Sequence, residues 1–174
     1  MTVLTQKRLF ELLDYRPAEG AFYWKARPTR NNASFEGQRA GWLNVAIGYW
    51  QIEIEGETLF MHHVVWLAET GVMPEQLDHK DRDRANNVFS NLRLCTSTQN
   101  RANMQKAEGQ FTSQYKGVSW HKQKQRWAAE IRVNGVKYNL GRHKSEVVAA
   151  LAYNEAAIKH FGEFARINEV PAHG

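Results

Sequence analysis

The chain has 174 residues, 43% hydrophobic and 24% charged, with a formal net charge of +5. That length allows one domain or two small ones, and no apolar run is long enough to span a bilayer. Residues 1–7 lack the apolar stretch of a signal peptide, and the single Cys95 excludes both a disulfide framework and a multi-cysteine zinc cage. The expected setting is a reducing cytoplasm.

Residues 5–14 read as a short amphipathic helix with Leu9, Phe10, Leu12 and Leu13 inward. Ala18-Glu19-Gly20 turns into a strand at Phe22-Tyr23-Trp24, and the polar stretch 27–39 is a loop. Residues 49–54 alternate as a half-buried strand, and Glu55-Gly56-Glu57 turns it into residues 58–61. A helix follows over 62–69, with Val65, Trp66 and Leu67 partly inward and Gly71 closing it. Residues 106–113 have the composition of a linker. Beyond it, residues 126–133 alternate strictly: Trp127, Ala129, Ile131 and Val133 to one face, Arg126, Ala128, Glu130 and Arg132 to the other. Asn134-Gly135 is a hairpin turn, because a two-residue primed turn needs positive φ. Residues 136–140 continue the alternation and add Lys137 and Asn139 to the polar face. Ser145 is the expected N-cap of a helix to about residue 160, whose alanines let it lie close on the apolar side of the sheet. Most of the six tryptophans are assigned to the core.

Charge is concentrated. Residues 105–144 hold nine Lys and Arg against Glu108 and Glu130, so this segment is +7 and the remainder −2. Such a basic stretch points to a polyanion partner. Upstream, Asp78-His79 is followed by Asn91 and Asn100, 12 and 21 residues after the histidine. A histidine near its ordinary pKa of about 6.5 can accept a proton at neutral pH. One carboxylate with one amide oxygen makes a sparse oxygen site of the kind Mg²⁺ or Mn²⁺ accepts, completed by water and phosphate. Asn86 and Asn87 also suit plain turn chemistry. His62 and His63 read as packing or capping groups at a helix start, with an approach of His62 to phosphate left open. Arg93 is open between a phosphate contact and an ion pair with Asp81 or Asp83, and Cys95 is a small core residue.

The order Leu77-Asp78-His79, Asn87, Asn91-Leu92-Arg93, Gln99-Asn100, preceded by His62-His63-Val64-Val65-Trp66 and Gly71-Val72-Met73-Pro74, resembles the HNH endonuclease family over residues 47–103. The flank is like that of phage members. With Asn100 where many members carry histidine, it looks like the H-N-N subtype common among homing endonucleases. The resemblance implies a ββα-metal fold, His79 as general base, and Asp78 and Asn100 as ligands to one Mg²⁺ or Mn²⁺ ion. It also implies that Asn91 holds the His79 ring by a hydrogen bond.

A second likeness covers residues 115–168. Tyr115-Lys116-Gly117-Val118, Trp127-Ala128-Ala129-Glu130-Ile131-Arg132, Leu140-Gly141 and Ala165-Arg166-Ile167-Asn168 resemble the APETALA/ethylene-response-factor DNA-binding domain. That family reads the major groove with a three-stranded sheet. By this resemblance Lys116 and Ser119 are contact positions on the first strand, and Glu130 and Arg132 on the second. Arg126, Lys137 and Asn139 follow from the alternation alone. The family more often has arginine where Lys116 and Ser119 stand, which weakens bidentate reading of guanine.

The resulting expectation is an α+β protein, with a ββα-metal nuclease domain over 1–104, a linker over 105–114, and a three-stranded antiparallel sheet backed by one helix over 115–168. It would be a homing-type endonuclease hydrolysing double-stranded DNA, in a bacterial host cell if phage-encoded, and a homodimer if it makes double-strand breaks. The alternative is a DNA-binding regulator with an inactive nuclease fold.

Overall fold

The computed structural model describes residues 4–25, 36–106 and 109–171, so most of the loop expected at 27–39 lies outside them. The chain divides into two compact units, residues 1–94 and 95–174. Among the described residues no helix is long and apolar enough to cross a membrane.

The first unit opens with helix α1 (Gln6–Leu12), whose N-cap Thr5 accepts the Arg8 N–H. Leu9 and Leu12 point into the core, whereas Phe10, expected inward, is 38% exposed. One residue after Leu9 it falls about 100° around the helix. The backbone is already extended at Leu13, so the helix ends early and strand β1 (Leu13–Arg16) pairs antiparallel with β2 (Ala21–Trp24). A three-stranded sheet follows in the order β3 (Trp42–Asn44), β4 (Tyr49–Ile54), β5 (Glu57–Phe60). Helix α2 (Met61–Thr70) leads directly out of β5 and ends at Gly71, whose φ of +76° suits glycine. The unit closes with the antiparallel pair β6 (Leu77–His79) and β7 (Leu92–Leu94).

One core joins these pieces: Leu9, Leu13 and Phe22 from the N-terminal segment pack with Ile52, Val64, Val65, Leu77 and Leu92. Residues near the N-terminus therefore complete the apolar floor under the β6–β7 hairpin. Each such side chain contributes about 1.5–3 kcal/mol by leaving water.

The second unit begins with helix α3 (Ser97–Asn103), started by a capping box between Thr96 and Gln99. Its sheet has the order β10-β9-β8, all antiparallel, from β8 (Val118–His121), β9 (Arg126–Val133) and β10 (Val136–His143). Helix α4 (Glu146–Phe161) backs it, with Ala149, Ala150 and Ala157 buried against Ala129 and Ile131. Asn134 and Gly135 both have positive φ, 49° and 82°, as the primed turn requires. Ser145 occupies the N-cap of α4, yet its side chain makes no capping hydrogen bond. Helix α3 belongs to this unit: Ala102 is buried with Ile131, Tyr153, Phe161 and Phe164. The boundary thus falls between Leu94 and Cys95, ahead of the one expected at residue 104. A seven-residue helix with one small buried alanine gives no sequence signal of which core it joins.

Candidate functional site

Strand β6 places Asp78 and His79 side by side, 6% and 4% exposed, and its partner β7 brings Arg93 opposite Asp78. The two strands are joined by residues 80–91, a loop built from its own polar side chains. Asp81 accepts the Asp83 N–H at 2.8 Å, and Asp83 accepts the Ala85 N–H at 2.9 Å. Arg82 takes a φ of +69° between them. Asn91 ties the loop at its end: its amide accepts the Asp81 N–H at 3.1 Å and donates to Asp81 Oδ1 and to the Asn86 carbonyl, each at 2.9 Å.

That pattern corrects the role expected for Asn91, whose amide is engaged on the loop. The ring of His79 is met instead by Asn87, with Nε2 3.1 Å from Oδ1. The Asn87 amide in turn donates to the Ala85 carbonyl at 3.2 Å, which turns Oδ1 toward the ring. A carbonyl oxygen only accepts, so Nε2 carries the proton and the lone pair lies on Nδ1. Asn87 is therefore the amide that meets the ring. Gly20 underlies it: a Cβ there would run into the backbone of Asn87 and Val88. In Asp81, burial alone would push the carboxyl up; the amides of Asn91 and Asn86 and the Asp83 N–H outweigh it and hold the group below its usual range.

His62 and Tyr49 surround the histidine. The His62 ring meets His79 edge-on at 5.0 Å between centroids, and Tyr49 lies 6.0 Å from His79. Burial pushes His79 below its ordinary pKa, against the Asn87 hydrogen bond and the charges of Asp81, Asp78 and Asp83. The ring is thus favoured in the neutral, proton-accepting form. His62 is lowered to about 2 by burial and by its histidine neighbours, and its Nδ1 is buried without a hydrogen-bond partner.

Arg93 forms an ion pair with Asp78, in place of the expected Asp81 or Asp83: Nε and Nη2 donate to Asp78 Oδ2 at 2.9 and 2.8 Å. Both side chains are nearly buried. Asn100 lies on α3 in the second unit, half-buried, its side-chain amide without a hydrogen bond among the described residues. The described residues contain no group of three or more His, Cys, Asp and Glu that could hold a metal. A carboxylate such as Asp78 and an amide oxygen such as Asn100 are each donor types that suit a hard cation better than zinc.

In the second unit the strand register defines one open face. Ser119, Ala128 and Arg142 stand in one row, Glu130 and Asn139 in the next, and Arg132 and Lys137 in a third, with His121 beside Arg126 at the other end. Sequence alternation missed Arg142. A bulge between Asn139 and Arg142 inserts a residue, and the parity of β10 flips after it. Asn139 holds that bulge by accepting the Gly141 N–H at 2.8 Å. Glu130 pairs with Lys137 at 2.7 Å, and Arg126 donates to the Gln125 carbonyl at 2.9 Å. Trp120 and Trp127 pack edge-to-face at 5.0 Å. Lys116 departs furthest from expectation. Its ammonium donates to the carbonyls of Arg101, Ala102 and Met104 at 3.2, 2.7 and 2.6 Å, so it caps the C-terminal end of α3. Its backbone is gripped on both sides by Asn168, at 2.6 and 3.1 Å, and Asn168 is gripped the same way by Asn154.

Residues 59–102 match the family model described as HNH endonuclease. The chain is similar to Protein 3.8 of Escherichia phage T7, 34% identical over 107 residues that cover 60% of this chain and 87% of that protein. It is also similar to an uncharacterized HNH endonuclease of Acanthamoeba polyphaga mimivirus, 33% identical over 113 residues that cover 63% of this chain and 57% of the mimivirus protein. No solved structure matches.

Proposed function

This chain belongs to the HNH endonuclease family, and from that premise we propose that it is a metal-dependent, homing-type endonuclease that hydrolyses phosphodiester bonds of double-stranded DNA. The observation that carries the reading is the His79 ring, buried, held by Asn87 in one tautomer and favoured neutral by its surroundings. A histidine so prepared takes a proton from an attacking water. Asp78 and Asn100 are the proposed ligands of one Mg²⁺ or Mn²⁺ ion; Arg93 orients the Asp78 carboxylate through two hydrogen bonds to Oδ2. When bound, the ion would stabilise charge building on the phosphate and on the departing oxygen. One site addresses one strand, so a monomer nicks and a double-strand break needs two copies.

The APETALA-type likeness and the excess of basic groups in residues 105–144 support the second unit as the DNA-holding part. On the open face Ser119, Arg126, Glu130, Arg132, Lys137 and Asn139 remain proposed contacts, with His121 and Arg142 added by the register. Lys116 is reassigned to holding α3.

Supercoiled DNA incubated with Mg²⁺ or Mn²⁺ tests the proposal. The wild type should give nicked or linear product, and His79→Ala should lower the rate about 10²–10⁴-fold. Equal product from both would remove His79 from the mechanism. Duplex binding without cutting by either would establish a regulator with an inactive nuclease fold.

A further inference from the structure

A groove between α3 and the β9–β10 hairpin, about 250 Å³ in volume, adjoins the open sheet face and shares Glu130 and Arg132 with it. Thr98 and Arg101 line it from the helix, and Lys116, Glu130, Arg132 and Asn134 from the side of the sheet. Its charge is lopsided. Glu130 is the sole carboxylate of the lining and is neutralised by Lys137 at 2.7 Å. Lys116 is held by backbone carbonyls, which satisfy its donors and leave its charge in place. Arg101 and Arg132 are exposed, and among the described residues neither guanidinium has an ion pair or a hydrogen bond. Two unpaired guanidiniums lining one concave surface repel each other and gain from an anion between them. Each presents a planar fork of N–H donors matched to two phosphate oxygens. Thr98 and Asn134 add neutral donors at the rim.

We propose that this groove seats a backbone phosphate of the DNA substrate, gripped jointly by Arg101 and Arg132. The inference rests on the reading of the chain as a duplex-binding protein, and it adds to the sheet face a contact from the helix that carries Asn100. Because Lys116 fastens the end of α3 through three carbonyls, Arg101 is held at the groove instead of moving with a free helix.

The test is fluorescence anisotropy of a labelled duplex with the full-length protein in EDTA over a range of salt concentrations, comparing wild type with Arg101→Gln, Arg132→Gln and the double variant. Each single change should weaken binding several-fold, equally across duplex sequences, and reduce the slope of log K against log salt by about 0.9. The double variant should lose less than the product of the two single losses, because the first change already loosens the shared phosphate. Wild-type affinity and slope in Arg101→Gln would overturn the groove and leave the sheet reading standing. Single losses that multiply in full would overturn the shared seat. A wild type that binds no duplex at any salt overturns both readings. Inorganic phosphate at matched ionic strength should compete with the duplex more in the wild type than in the double variant, and equal competition in both would overturn the seat. Both arginines are exposed, so unchanged thermal melting of the variants is expected alongside.

Discussion

In the proposed reaction His79 serves as a base only while one ring nitrogen stays unprotonated and aimed, and two asparagines would divide that work. Asn87 touches the ring, and Asn91 ties the loop. Asn87→Ala should therefore lower kcat about 10–100-fold with little change in stability. Asn91→Ala removes three loop hydrogen bonds and should lower the unfolding free energy by about 1–3 kcal/mol. Single-turnover cleavage and urea unfolding separate the two, and exchanged phenotypes would sink the assignment. That Asp78 and His79 stand side by side follows from their adjacency in sequence. Which amide meets the ring was not legible there, because it depends on a loop folded around the left-handed Arg82.

Beside His79, His62 ties the stability of the first unit to pH. Burial and its histidine neighbours lower its pKa to about 2 in the folded protein, against about 6.5 in an unfolded chain. Below about pH 6.5 the unfolded chain takes up a proton that the folded one refuses, so stability is whole above that value and drains as pH falls. The unfolding free energy should drop by up to about 1.4 kcal/mol per pH unit on the acid side. His62→Phe, placed among Tyr49 and Phe60, should flatten that slope. An unchanged slope would assign the acid sensitivity to other groups.

At the scale of elements, the strongly periodic segments were readable and the three-residue ones were not. The strand at 49–54, the hairpin about Asn134-Gly135 and helix α4 stand close to where alternation and turn chemistry put them. Strands β3, β6 and β7 are too short to show a period, and the bulge in β10 changes which side chains reach the open face without marking the sequence. The same limit hid the role of Lys116, since family position suggested a DNA contact while the ammonium caps α3. Lys116→Met keeps the apolar stem and leaves three carbonyls without their donor, an expected loss of about 1–3 kcal/mol in the second unit, with duplex affinity falling alongside it as Arg101 loosens. A loss of affinity at unchanged stability, read by urea unfolding and anisotropy, would return Lys116 to the contact surface.

For the whole molecule, the division of the chain matters more than its length. Sequence placed α3 with the nuclease and a linker after it; the core places Ala102 with Ile131, Tyr153, Phe161 and Phe164, all beyond that linker. An isolated helix shorter than about 12–15 residues is marginal in water, and α3 has seven residues. A chain ended at residue 104 would keep the core built from Leu9, Phe22, Ile52, Val64 and Leu92 and lose every one of those partners of Ala102. It should therefore melt cooperatively, because the first unit is intact, and yet fail to nick DNA at any Mg²⁺ or Mn²⁺ concentration, because the helix bearing Asn100 is unformed. On the proposed function, the second unit would then do more than hold DNA, since it folds the helix that carries Asn100. Cleavage by the shortened chain with the metal dependence of the full one would show that α3 forms without the second core, and the two activities would then be separable after all.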